Sequence, residues 1–166
     1  MDFERIDTET IGRYDLTPLF HDRSVFAQLI EELAEPFRDE TDVVVGLEAL
    51  GFILGSAVAF SIGSAFVPMR KQGKLPLASE KVSAASFVDY TGTQKGFEMR
   101  RDAIKKDDRV LIVDDWIETG EQVRAAISII EAAGGRIIGV SVIGVDRTDR
   151  TQDLFERFEV SVLKES

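Results

Sequence analysis

Two rhythms of apolar residues run through the chain. Phe26, Leu29, Ile30 and Leu33 recur at the i, i+3, i+4, i+7 spacing of an amphipathic helix, and Pro36 closes it because proline cannot extend the hydrogen-bond ladder. Val123, Ala126, Ile127 and Ile130 repeat that spacing, with Gly134-Gly135 as the stop. Other segments are short apolar runs that read as strands: Asp42 to Gly46, Ala65 to Pro68, Val110 to Val113, Ile137 to Val145 and Phe158 to Leu163. Val110 to Val113 has no polar interruption, as expected of a strand buried on both faces in a parallel sheet. Between the first two runs, Gly51, Gly55, Ala57 and Ala59 keep one side of an apolar segment small, which suits a helix packed closely on a sheet. Strand and helix alternating in this way predict an α/β domain, right-handed and doubly wound, with a mainly parallel central sheet and helices on both faces. The exception is residues 72–95, long and polar with a weak strand at Ser86 to Tyr90. A stretch of that length without a firm element reads as a lid.

Composition narrows the picture. A chain of 166 residues fits one domain and is too short for two cores. No apolar run is long enough to cross a bilayer, and the first ten residues are acidic rather than basic, so the expectation is a soluble, unexported, cytoplasmic protein. Zero cysteines exclude disulfides, thiolate metal sites and cysteine nucleophiles, and a single histidine, His21, excludes a multi-histidine metal centre. His21 sits beside Asp22 and Arg23 in a helix-opening turn and reads as a surface residue. The net charge of −10 opposes nonspecific binding to nucleic acid or to an anionic membrane. A polyanionic ligand must therefore be drawn by a local site.

Candidate chemistry concentrates in RVLIVDDWIETGEQ, Arg109 to Gln122. Asp114 and Asp115 fall at the carboxyl end of the most buried strand, where ligands sit in such sheets. The following turn leads into a helix that begins near Gly120, and amides of a glycine-containing turn at a helix N-terminus form an anion-binding nest. Two carboxylates cannot bind phosphate, but they can take Mg²⁺ or sugar hydroxyls. Asp107 to Gln122 holds six acids and one base, so a phosphate there needs both the nest and a metal. A phosphorylated sugar satisfies all three features. The plainer alternative is a solvated acid pair and an ordinary helix cap. Receiver-type phosphorylation domains also place paired acids at a strand end, but after their first strand.

The same stretch resembles the signature of the type I phosphoribosyltransferases, in which an apolar run meets two acids, two further residues, a small or acidic residue and Thr-Gly-x-Thr. A second match lies earlier in the chain: Gly46 to Pro76 resembles the adenine phosphoribosyltransferases through the string Arg-Lys-Gln-Gly-Lys-Leu-Pro at Arg70 to Pro76. YDLTPLFHDRSVF and GFEMRRDAI add to the resemblance, which spans about residues 11 to 145. It implies transfer of a 5-phosphoribosyl group from phosphoribosyl pyrophosphate to a purine base, adenine first, in nucleotide salvage. Asp114 and Asp115 would hold the ribose hydroxyls, directly or through Mg²⁺, and Glu118, Thr119, Gly120, Glu121 and Gln122 would bind the 5′-phosphate, mostly by backbone. Gly46 to Gly51 would be the pyrophosphate loop, including Glu48, Ala49, Leu50 and Gly51. Arg70, Lys71 and Lys74 would neutralise the leaving group, in a window from Arg70 to Lys81 with four bases and one acid. Tyr14, Trp116 and Ile117 would lie against the base, residues 1–20 would form a hood, residues 72–95 the water-excluding lid, and two copies a homodimer.

Departures from the pattern matter chemically. Leu50 replaces an Arg and loses a cation near pyrophosphate, while Glu121 and Gln122 replace Gly and Thr. The lid reads Val88-Asp89-Tyr90-Thr91-Gly92 where the adenine enzymes carry Glu-Tyr-Gly, and Glu118 stands where they have Ala. Glu118 and Asp89 are therefore both candidates for the acid/base group. Trp116 replaces an aliphatic residue and Tyr14 an Arg; either ring could stack on a purine, or Trp116 could simply pack under the hood. Three readings compete: a purine phosphoribosyltransferase, a non-catalytic regulator of the same fold that binds phosphoribosyl pyrophosphate or a nucleotide, and a phosphoribosyltransferase for another base.

Overall fold

The computed structural model describes residues 14–88 and 92–165. Its elements in chain order are α1 (Thr17–Phe20), α2 (Arg23–Ala34), β1 (Val43–Leu47), α3 (Leu50–Ile62), β2 (Ala65–Lys71), β3 (Val82–Val88), β4 (Gln94–Arg100), β5 (Arg109–Ile117), α4 (Glu121–Ala132), β6 (Arg136–Val145), α5 (Gln152–Arg157) and β7 (Val160–Glu165). The seven strands form one sheet in the order β3-β4-β2-β1-β5-β6-β7. β2, β1, β5, β6 and β7 run parallel, and β4 and β3 extend the sheet antiparallel at one edge.

Period-two alternation along the central strands sorts the core onto two faces. Val43, Val45, Leu47, Val110 and Ile112 pack with Val123, Ala126, Ile127 and Ile130 of α4. Val44, Leu111 and Val113 pack with Leu29, Ile30 and Leu33 of α2 and Leu54 and Val58 of α3. The helix spacings read from the sequence are thus the buried faces of α2 and α4. Asp22 caps α2, its carboxylate accepting the amides of Ser24 (2.9 Å) and Val25 (3.2 Å), and Pro36 falls in a 3-10 turn, Glu35–Phe37, that ends it. Among the described residues no helix is long and apolar enough to cross a membrane.

Two expectations change. β5 does not stop at Val113 but carries both acids and continues to Ile117, because β6 pairs with it through Ile117–Val145. Residues 72–95 are not structureless: a 3-10 turn (Ser79–Lys81) leads into β3, which pairs with β4 from Val82–Arg100 to Val88–Gln94. These strands sit at the sheet edge and mix exposed with buried positions, which blurs the apolar signal.

Candidate active site

β1 and β5 are neighbours, with Gly46 opposite Val113. Their chains then part: β1 turns into α3 on one face and β5 into α4 on the other. That divergence is the switch point of the sheet, and the crevice beyond it is where such folds take ligands. The β1–α3 turn is pressed onto the end of β5. A Cβ on Gly51 would stand 2.7 Å from the Val113 carbonyl oxygen and 3.0 Å from Asp114 Oδ1, and one on Gly46 would stand 2.3 Å from the Gly51 carbonyl oxygen. Only glycine permits this approach. The structure therefore brings the expected pyrophosphate loop and the acid pair into contact. Asp114 is 6% exposed and its Oδ1 accepts the Asp115 amide at 3.0 Å, while Asp115 is half-buried. In the loop, the Glu48–Ala49 peptide is cis, Ala49 is exposed, and Leu50 packs against the α2–α3 core.

The cationic side lies at the end of β2. Arg70 Nε reaches Glu48 Oε2 at 3.5 Å and its Nη1 donates to the Lys74 carbonyl at 3.0 Å. Glu48 Oε2 also accepts the Lys71 amide at 2.9 Å, whereas the side chains of Lys71 and Lys74 are exposed. Beneath them is a buried carboxylate. Glu98 stands opposite Arg70 in the β2–β4 pair and accepts the amides of Lys74 (2.8 Å) and Leu75 (2.6 Å). Burial pushes this carboxyl up, but the amides of Gly73, Leu75 and Lys74 and the nearby Arg70 outweigh it and hold it below its ordinary value.

After Ile117 the chain turns through Glu118, Thr119 and Gly120, which has φ 79°, into α4. No side chain caps the helix, and Glu121 puts an acid in its first turn. Glu118 and Thr119 are half-buried. Arg124 folds back over this turn, Nη1 donating to the Thr119 carbonyl (3.0 Å) and to Glu121 Oε1 (2.9 Å).

On the base side, the rings of Tyr14 and Trp116 pack at a tilt, 4.4 Å between centroids and 47° between planes. Trp116 Nε1 donates to Asp146 Oδ1 at 2.8 Å, and its ring fills the place of a side chain at Gly144, whose Cβ would meet it at 2.0 Å. Lys164 Nζ lies 5.6 Å from the Tyr14 ring centre. Ile117 is buried in the core, and its carbonyl accepts the Asp146 amide at 2.8 Å. Asp89 and most of the 1–20 hood lie outside the described residues. Among the described residues no group of three or more acids or histidines could hold a metal ion.

Sequence reading missed Asp146, Glu98 and Arg124. Each acts on a partner 23 to 30 positions away, so neither periodicity nor a local motif marks it.

Fold and placement define a class first: a doubly wound α/β protein with an acid pair and a glycine turn at its switch point. The chain belongs to the phosphoribosyl transferase domain family, whose model matches residues 20–162. It is 35% identical over 162 residues to the adenine phosphoribosyltransferase of Clostridium botulinum strain Hall, covering 96% of this chain and 91% of that protein. With the adenine phosphoribosyltransferase of Nitrosomonas eutropha it shares 46% over 125 residues, 75% of this chain and 70% of that one. The crystal structure of adenine phosphoribosyltransferase from Rhodothermus marinus superposes with a TM-score of 0.87 at 34% identity, covering 98% and 95% of the two chains.

Proposed function

We propose that this protein transfers the 5-phosphoribosyl group of phosphoribosyl pyrophosphate to a purine, adenine first, releasing pyrophosphate and a nucleoside monophosphate. The observation that carries the reading is the contact of the Gly46–Gly51 loop with Asp114 at the β1–β5 switch point, directly before the Thr119–Gly120 turn. The family relation and the adenine phosphoribosyltransferase relatives support the same chemistry.

In this reading Asp114 and Asp115 orient the ribose hydroxyls, and the amides of residues 119–122 hold the 5′-phosphate at the α4 N-terminus. The bond from C1′ to the pyrophosphate oxygen breaks as the bond from C1′ to the purine nitrogen forms, and the electron pair leaves on pyrophosphate. Glu118 takes the proton that the purine ring gives up, with Asp89 as the other candidate. Arg70, Lys71 and Lys74 supply positive charge on the leaving-group side. Residues 72–95, which include β3 and the first residues of β4, serve as the lid. Asp114 and Asp115 offer two carboxylates, a number that suits Mg²⁺ because this ion keeps waters and substrate oxygens in its octahedron. Asp114 and Asp115 would hold it through water or ribose hydroxyls, and when bound it offsets charge on departing pyrophosphate. The outer face of α3 leaves Ile53 46% and Phe60 90% exposed, and a second copy of the chain is the partner proposed for it.

A binding protein without turnover is the second reading, favoured by Leu50, which packs into the core where a cation would serve pyrophosphate. One experiment separates the readings: pyrophosphate release is measured with phosphoribosyl pyrophosphate, Mg²⁺ and adenine, hypoxanthine, guanine or a pyrimidine in turn. Release with adenine supports the proposal, and release only with another base corrects the substrate. A protein stabilised by phosphoribosyl pyrophosphate that releases nothing with any base is the binding protein.

A further inference from the structure

Glu121 poses an electrostatic problem. It places a carboxylate in the first turn of α4, beside the amides that receive the phosphate in the reading above. The structure contains a counterweight one helical turn on. A single guanidinium, Arg124, holds the Thr119 carbonyl at 3.0 Å and Glu121 Oε1 at 2.9 Å through Nη1. Through Nε it holds Asp153 Oδ2 at 3.2 Å, and through Nη2 it holds Asp153 Oδ1 and the Arg150 carbonyl. Arg124 thereby joins the turn after β5 to α5 and to the loop before it. Its side chain is 26% exposed, and the bond to Asp153 raises its pKa while that carboxyl is lowered by the same bond. A planar fork with five donors is what this linkage requires; an ammonium cannot span five acceptor atoms in these directions. The guanidinium lies against Gly120, where an added Cβ would stand 3.0 Å from Nη1.

We propose that Arg124 is a positioning residue for the anion-binding turn: it ties back the Thr119 carbonyl and draws the Glu121 carboxylate aside, so that the amides of residues 119–122 face the phosphate unopposed. Asp153 fixes the guanidinium from α5. The proposal rests on the reading of this turn as the 5′-phosphate site. It explains how a first-turn acid is accommodated at a site for an anion: the Glu121 charge is engaged within the protein before ligand arrives.

The test is a double-mutant cycle with Arg124→Met, Glu121→Gly and both together, read as KM for phosphoribosyl pyrophosphate, KM for the base, and affinity for ribose 5-phosphate. Arg124→Met is expected to weaken both phosphorylated ligands by about 10-fold, the size of one uncompensated charge near the ligand. The base KM should change by less than about twofold, because uniform loss of phosphate binding leaves base contacts in place. Glu121→Gly in the Arg124→Met background should restore most of that affinity, since the carboxylate to be held is gone. Unchanged affinity in Arg124→Met overturns the proposal, and so does a loss that Glu121→Gly leaves in full, which would make Arg124 only a tether for α5. If Arg124→Met does not fold, Asp153→Asn is read instead, with weakening of about threefold or more expected and wild-type affinity counting against it. Failure of the phosphate reading itself looks different: ribose 5-phosphate would leave the wild-type amides of residues 119–122 unshifted in NMR spectra.

Discussion

Asp114 and Asp115 are adjacent in sequence and unequal in surroundings. Asp114 is nearly closed off behind Gly51 and spends one oxygen on its neighbour's amide, whereas Asp115 keeps surface for a ligand. Glu118, three residues on, is the first candidate for the proton transfer in the proposed reaction. Glu118→Ala is expected to lower kcat by about 10²–10⁴-fold, as removal of a positioned acid/base group does, with little change in melting temperature. Steady-state kinetics with adenine checks this, and retained turnover transfers the role to Asp89. The acid pair and the turn were legible in the sequence because they directly follow an apolar run without a polar break. The setting of Trp116 was not: the room left by Gly144 comes from β6, which the register places alongside β5, and its hydrogen bond goes to Asp146 just beyond the end of β6.

At the scale of elements, the β3–β4 hairpin shows what a linear pattern cannot convey. Its pairing partners lie across a loop, β3 fully buries only Phe87, and the buried run of β4, Gly96 to Met99, includes the acid Glu98. Such a strand reads as polar although its centre is core. Glu98 is buried as a carboxylate because the amides of the turn that carries Lys74 require an acceptor. Glu98→Gln replaces one accepting oxygen by a donor that faces amide N–H groups, at a cost of about 1–3 kcal/mol. The Arg70–Leu75 turn should loosen, seen as faster tryptic cleavage after Lys71 and Lys74 and a raised KM for phosphoribosyl pyrophosphate. Cleavage at the wild-type rate would show that β2 alone holds the turn. The central elements β1, β2, β5, β6, α2 and α4 were legible, since burial on one or both faces imposes a period that the side chains must follow.

The whole molecule carries a charge of −10, and two of its properties follow from where ionic and apolar groups are placed. At the ends of the central strands opposite the acid pair, Asp42 ahead of β1 binds the guanidinium and amide of Arg109 at the start of β5, with distances of 2.8 to 3.0 Å. The Arg109 side chain, then its amide, hold the Asp42 carboxyl down from 3.8 to about 2. The folded value lies below the unfolded one, so this contribution to stability is present in full above about pH 4 and disappears as pH falls through about 2. Asp42→Asn should therefore melt below wild type at neutral pH, and the gap should narrow as pH is lowered from 6 to 3. A gap that stays constant over that range would show that the pair is not coupled to folding. The second property is assembly. Phe60→Asp on the outer face of α3 should convert a dimer into monomers in light scattering at micromolar concentration, with the melting profile of the isolated fold retained. A wild-type monomer, or a dimer indifferent to Phe60→Asp, would exclude α3 as the contact.

The most direct measurement follows adenine and phosphoribosyl pyrophosphate with Mg²⁺ to products in wild type and Asp115→Asn. Wild type should form adenosine monophosphate and pyrophosphate one for one, and Asp115→Asn should fold normally yet bind phosphoribosyl pyrophosphate in Mg²⁺ at least about 10-fold more weakly, as loss of a charged contact to ligand predicts. Equal Mg²⁺-dependent affinity and equal turnover in the two proteins would contradict a site built on the acid pair at the end of β5.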